Sequence, residues 1–134
     1  KRLFDEGGVE MWVISKVDAM NDDGVIIEIK NRMYKLFNEV REYEWLQVQT
    51  YLDVYDLERA VLVEYLVGAD EVDNMKVNKI ERDRKFWNDV VLVELRKYFG
   101  VLLKIIMNVD LMKEYMSLSE NEQNEFIKKI IRSG

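Results

Sequence analysis

The chain contains neither cysteine nor histidine. Their absence removes disulfides, thiolate nucleophiles, iron–sulfur clusters, zinc fingers, imidazole bases and every Ser-His-Asp arrangement. Chemistry in this protein therefore has to use carboxylates, Lys, Tyr or a hard metal ion held by oxygen. Proline is also missing, where about 5% is usual, and that absence has no functional reading. No apolar N-terminal stretch with a basic flank marks a secretory signal, and no apolar run is long enough for a membrane span. We therefore expect an intracellular protein, in cytoplasm or nucleus, without membrane attachment. The chain begins at Lys1 rather than Met, which leads us to expect residues or a further domain upstream.

What is present is a globular balance, with 49% apolar and 34% charged residues in 134 positions. That is too apolar for a disordered tail, and a chain of this length buries about two-thirds of its unfolded surface. We expect one domain over residues 1–134. A net charge of −6 argues against unselective attraction to polyanions, so any such contact must come from local clusters of cations.

Met11 to Met20 reads as a strand and Val25 to Asn31 as a second, joined by the turn residues Asn21-Asp22-Asp23-Gly24. With Gly24 in the left-handed position of a bulged turn, the register sets Asp18 opposite Glu28. Leu36, Val40, Tyr43, Val48 and Leu52 recur at helical spacing, predicting one helix from Met33 to Asp53. Ala60 to Val67 is a short apolar run bounded by Gly68-Ala69-Asp70, a strand buried on both faces. Strand, helix, strand forms a right-handed crossover, with the Ala60 strand parallel to the Val25 strand. Met75 to Glu81 alternates like an edge strand, and Arg84 to Met107 is helical with a kink expected near Gly100. Ser119 and Glu122 form a capping box opening a last helix to Ile131. The fold class is α/β, a mixed central sheet of about four strands flanked by helices, with a helical C-terminal part from about residue 84.

Residues two apart on a strand share a face, so Glu28 and Lys30 project together. Asp18 then faces Glu28 at roughly 5 Å between Cβ atoms, a like-charge pair that is unfavourable without a cation between. Hard oxygen ligands suit Mg²⁺ or Mn²⁺, and Lys30 beside them can position a water or stabilise charge on phosphorus. A charged strand face turned to solvent is the ordinary alternative. Lys16, Arg32, Lys35 and Arg41 cluster around the hairpin exit and helix start, as contacts for phosphates or as solvating charges. Tyr34, Phe37 and Trp45 are aromatic positions that either stack on bases or join the core. Glu64 interrupts the apolar Ala60 run, so it reaches the sheet edge or pairs with a cation such as Arg41 or Lys30.

Asp18 followed by Glu28-Ile29-Lys30 resembles the metal-binding signature of the PD-(D/E)xK nuclease superfamily. Gln47-Val48-Gln49-Thr50-Tyr51 is similar to the Gln-x-x-x-Tyr motif of its RecB-like branch, which includes lambda-type exonucleases and YqaJ-like viral recombination nucleases. The resemblance covers about residues 11–67. It implies a restriction-endonuclease-like fold and a Mg²⁺- or Mn²⁺-dependent deoxyribonuclease, exonuclease before endonuclease, serving viral or phage-type DNA recombination, repair or processing. In a viral case the host cell would be its location. It implies that Asp18 and Glu28 bind the metal with help from the Ile29 carbonyl, that Lys30 is the catalytic lysine, and that Gln47 and Tyr51 complete the site. DNA is the implied partner, RNA stays open, and a homo-oligomer is compatible with the branch. The pattern departs from the family in two places: no acidic helix precedes the first strand, Glu6 and Glu10 being poor substitutes, and no Pro precedes Asp18. The missing upstream acid motivates the alternative, a catalytically inactive nuclease-fold module for nucleic-acid binding or assembly.

Overall fold

In the computed structural model, which describes residues 1–68 and 74–133, the strands are Arg2–Glu6 (β1), Val9–Trp12 (β2), Ala19–Met20 (β3), Ile26–Arg32 (β4), Arg59–Leu66 (β5) and Met75–Glu81 (β6). The helices are Glu42–Tyr55 (α1), Arg84–Phe86 (α2), Leu92–Ile106 (α3), Val109–Ser117 (α4) and Glu120–Ser133 (α5), with a π-helical turn over Trp87–Val91. β1 and β2 form a two-stranded antiparallel sheet, while the other four lie in the order β3-β4-β5-β6. β4 and β5 are parallel, and the pairs at either side are antiparallel. The α/β class with a mixed four-stranded sheet is thus what the chain adopts. Two compact units divide it: Lys1 with Val13–Arg84, and Arg2–Trp12 with Lys85–Gly134.

In the first unit the turn is built as its residues require. The Asn21 side chain accepts from the N–H groups of Asp23 and Val25, and Gly24 takes a φ of 71°, open to a residue without Cβ. Ala19 then pairs with Ile27 and Met20 with Ile26, the predicted register. The strand itself is much shorter than the Met11–Met20 expected. Met11 and Trp12 belong to the β1–β2 hairpin instead, which turns at Gly7-Gly8.

α1 packs over the sheet through Val48, Tyr51 and Leu52, which meet Ile26, Ala60, Leu62 and Ile80 in one buried cluster. It starts at Glu42 rather than Met33, because the preceding segment is held in another shape. Phe37 lies beneath the guanidinium groups of Arg32 and Arg41, and Lys76 of β6 donates to the main-chain carbonyls of Phe37 (2.7 Å) and Asn38. Tertiary contacts here override helix propensity. At its other end Asp56 takes φ 54° and returns its N–H to the Leu52 carbonyl, closing α1 with a left-handed residue. β5 is parallel to β4 as predicted, with Ile26 beside Ala60. Ala69 and Asp70, read as part of the turn after this strand, lie outside the described residues. β6 falls on the predicted span and pairs on one side only.

In the second unit, Phe4 of β1 stacks on Phe99 at 5.6 Å between centroids, and Val101, Ile105 and Ile127 form a buried cluster with Tyr115, Phe126 and Ile130 packed around it. Gly100 does not break α3; the irregularity is the π-helical turn at Trp87–Val91. α4 is an additional helix, capped by the Asn108 side chain, which accepts from the N–H groups of Asp110 and Leu111. Ser119 donates through its N–H and its hydroxyl to the Glu122 carboxylate, and this holds Glu122 below the usual carboxylate range. No helix among the described residues is long and apolar enough to cross a membrane.

Candidate active site

Period-two alternation places Ile26, Glu28, Lys30 and Arg32 on the face of β4 beneath α1, and Ile27, Ile29 and Asn31 on the other. The parallel register brings Ala60, Leu62 and Glu64 of β5 to the same face. One end of this face is apolar, and the other carries the charges.

Glu28 is buried, and its Oε1 accepts from the Lys30 ammonium at 2.6 Å. Lys30 Nζ also donates to Gln47 Oε1 at 2.9 Å, and Gln47 Nε2 donates onward to the Tyr51 hydroxyl. Gln47 and Tyr51 stand four residues apart on α1, so one helix face aims both at the strand. Four of the five predicted site residues thereby form a continuous polar chain. Burial pushes the Tyr51 hydroxyl up; the Gln47 hydrogen bond opposes this, and the charges of Glu28, Lys30 and Asp18 all act on it. The phenol is therefore protonated at neutral pH.

Asp18 is reached differently. It precedes β3, is exposed, and its Oδ2 accepts from the backbone N–H of Ile29 at 2.8 Å. β3 begins only at Ala19 and pairs only with Ile26 and Ile27, so beyond Ile27 this edge of β4 has no strand partner among the described residues, and the Asp18 carboxylate takes its place. The N–H and C=O of one extended residue leave on the same side of the strand, so the Ile29 carbonyl faces this edge too. The Ile29 side chain is half-exposed on the face away from α1. Among the described residues no group of three or more acidic side chains is placed to hold a metal ion. The oxygens expected to act as ligands are the Asp18 and Glu28 carboxylates and the Ile29 carbonyl.

Arg32, expected to meet phosphate, is engaged inside the protein. Its guanidinium forms a two-pronged pair with Glu44 of α1, 2.8 Å on each arm, and donates through Nε to Glu64 at 2.7 Å. Both glutamates are 1% exposed, and the Arg32 side chain is 10% exposed. The Arg32 hydrogen bond holds Glu44 below the usual carboxylate range, and the Glu44 hydrogen bond raises Arg32 in turn. Glu64 therefore pairs with Arg32, not with Arg41 or Lys30, because Arg32 lies one step along the same face. Glu44 carries no role in the sequence reading, although its place three residues before Gln47 on α1 makes it the residue above Arg32. Lys16, Lys35 and Arg41 are exposed, Arg41 lying 4.0 Å over the Phe37 ring and donating to the Tyr43 hydroxyl. Trp45 packs against the core, and Tyr34 is 95% exposed. At the far end of the sheet Arg82 pairs with Asp53 and Asp56, and Gln49 ties α1 to the Glu81 carbonyl and the Asp83 N–H.

No family model matches the sequence, and no curated protein matches it. Among solved structures the crystal structure of SSO0001 is similar, with a TM-score of 0.53 and 21% identity over 70% of this chain. The chain spans 43% of that protein's length. A likeness at this identity shows a shared fold.

Proposed function

We propose that the chain is a metal-dependent nuclease that hydrolyses phosphodiester bonds in DNA. The observation that carries this reading is the polar chain Glu28–Lys30–Gln47–Tyr51, together with the Asp18 carboxylate held on the Ile29 N–H of the same strand. The two carboxylates and the Ile29 carbonyl are hard oxygens, and they fit Mg²⁺ or Mn²⁺, which retain several waters and need few protein ligands. Such an ion, when bound, supplies a lowered water pKa and Lewis-acid polarisation of the phosphate.

Lys30 has three ammonium protons, and Glu28 and Gln47 accept two of them. The third is left to donate to a phosphate oxygen, where a fixed positive group stabilises the charge that develops as the P–O bond breaks. Gln47 is oriented by Tyr51, and it in turn limits the rotation of the Lys30 head. Asp18, on the Ile29 N–H, keeps a second carboxylate oxygen for a ligand. The test is Mn²⁺- or Mg²⁺-dependent degradation of linear and circular DNA, with Glu28→Ala and Lys30→Ala as controls and Mn²⁺ titration of Asp18→Ala. Cleavage of linear DNA only is the exonuclease outcome, and cleavage that persists in both variants rejects the site.

A second reading, an inactive nuclease-fold module for nucleic-acid binding or assembly, is favoured by one observation. Among the described residues no group of three or more acidic side chains is placed to hold a metal ion. It predicts DNA binding without cleavage at any metal concentration.

A further inference from the structure

We propose that the segment joining β4 to α1 is a stacking surface for unpaired bases, so that the DNA engaged beside the site is single-stranded. This rests on the nuclease reading for its ligand class but stands on different residues. Tyr34, four positions after Lys30, is 95% exposed, and Met33 before it is 69% exposed. Leaving an aromatic ring in water forgoes its burial energy, and Tyr34 with Met33 makes an exposed apolar pair on an otherwise anchored segment. The segment is indeed anchored: Arg32 and Arg41 lie over Phe37 at 4.6 and 4.0 Å from the ring centroid, and Lys76 holds the carbonyls of Phe37 and Asn38. Arg32, Phe37 and Arg41 line a cleft of about 310 Å³ together with Met33, Tyr34 and Lys35.

Charge decides between single and double strands. Lys35 and Arg41 are exposed here, but so are Glu39 and Glu42, and Arg32 is neutralised by Glu44 and Glu64. The segment therefore offers little net attraction to phosphates, whose charge is denser along a duplex than along a single strand. What it offers is the open Tyr34 ring beside the exposed Arg41 guanidinium, and these stack on bases only when the bases are unpaired. Lys35, 5.7 Å from the Phe37 ring, is placed for a single backbone phosphate.

The experiment is fluorescence anisotropy in EDTA, which excludes cleavage, with labelled oligo-dT, the matched dT·dA duplex and oligo-rU. The wild type is expected to bind oligo-dT with a shallow salt dependence, and Tyr34→Ala to weaken it roughly five- to hundredfold, the range for one lost stacked base. Tyr34→Trp is expected to restore binding. At 95% exposure neither change disturbs the core. Oligo-dT binding that is unchanged in Tyr34→Ala overturns the proposal, as does tighter binding of the duplex, or tighter binding of oligo-rU, which would assign the surface to RNA. Tyr34-dependent binding without cleavage in Mg²⁺ would uphold the surface and remove the hydrolytic reading, so the two failures are separable.

Discussion

Replacing Arg32 with Met keeps most of the side-chain volume and deletes the charge shared by Glu44 and Glu64. Both carboxylates are 1% exposed, so neither can turn to water without moving α1 or β5. Removing one partner of a buried ion pair costs about 3–5 kcal/mol, because the survivors stay desolvated and uncompensated. Against a total stability of roughly 5–15 kcal/mol for an ordinary domain, that is a large fraction. The pH dependence is diagnostic. In the wild type Glu44 lies below its ordinary value of 4.5 because of the Arg32 hydrogen bond. The stabilisation it represents is present above pH 4.5 and lost as the pH falls through the depressed value. In Arg32→Met burial outweighs the smaller opposing effects of the Lys30 charge and the Tyr43 hydrogen bond and raises Glu44, so that variant loses stability as pH rises instead. The difference between the two proteins should therefore be widest near neutrality and narrow towards pH 4. Urea unfolding followed by tryptophan fluorescence at both pH values measures it. A difference below about 1 kcal/mol at neutral pH, the range of an exposed pair, or one that does not change with pH, would show that the cluster is solvated and Arg32 free for phosphate.

Other perturbations address single contacts. Gln47→Ala leaves Lys30 held by Glu28 alone, and single-turnover DNA cleavage is expected to fall roughly 10- to 100-fold, the usual effect of losing an orienting group, with binding in EDTA unchanged. Gly24→Ala forces a Cβ into φ 71° and within 3.3 Å of Leu57, and chemical denaturation should show a loss of about 1–2 kcal/mol. Leu52→Ala empties a fully buried position against Ile26 and Leu62 and should cost about 2–5 kcal/mol in the same assay.

The parts of the fold that short-range chemistry determines are those visible in the sequence. Asn21 and Gly24 set the hairpin register without help from the rest of the chain. The apolar Ala60 run and the alternating Met75 run become β5 and β6 nearly to the residue. The failures occur where a distant side chain decides. Residues 33–41 have helical spacing, yet Lys76, some forty positions later, captures two of their carbonyls, and the helix waits until Glu42. β1 supplies the hydrogen bonds that Met11 and Trp12 would otherwise have lacked, so the long strand expected there divides in two. At Trp87–Val91 nothing in the residues themselves announces a π-helical turn, whereas Gly100 sits unbroken within α3 because a helix tolerates one glycine at a cost of about 1 kcal/mol.

The site was legible to the extent that parity and helical spacing carry it. Glu28 and Lys30 are two apart, Gln47 and Tyr51 four apart, and a crossover places the helix over the strand; together these bring the four side chains within reach. The same parity applies to Arg32. A residue two beyond Lys30 on a strand covered by a helix must also lie under that helix, and an arginine there needs internal carboxylates. Glu64, on the same face of the parallel neighbour, and Glu44, one turn before Gln47, are the ones within reach. Reading Arg32 as a surface cation considers its charge without its face. Asp18 is the opposite case. Its register position is derivable, but its orientation depends on β3 starting only at Ala19, which leaves the Ile29 N–H without a strand partner and draws the carboxylate to the sheet edge. A carboxylate satisfied by a single backbone donor keeps acceptor capacity on its outer side, and that geometry makes Asp18 the member of the set most open to a ligand arriving from solvent.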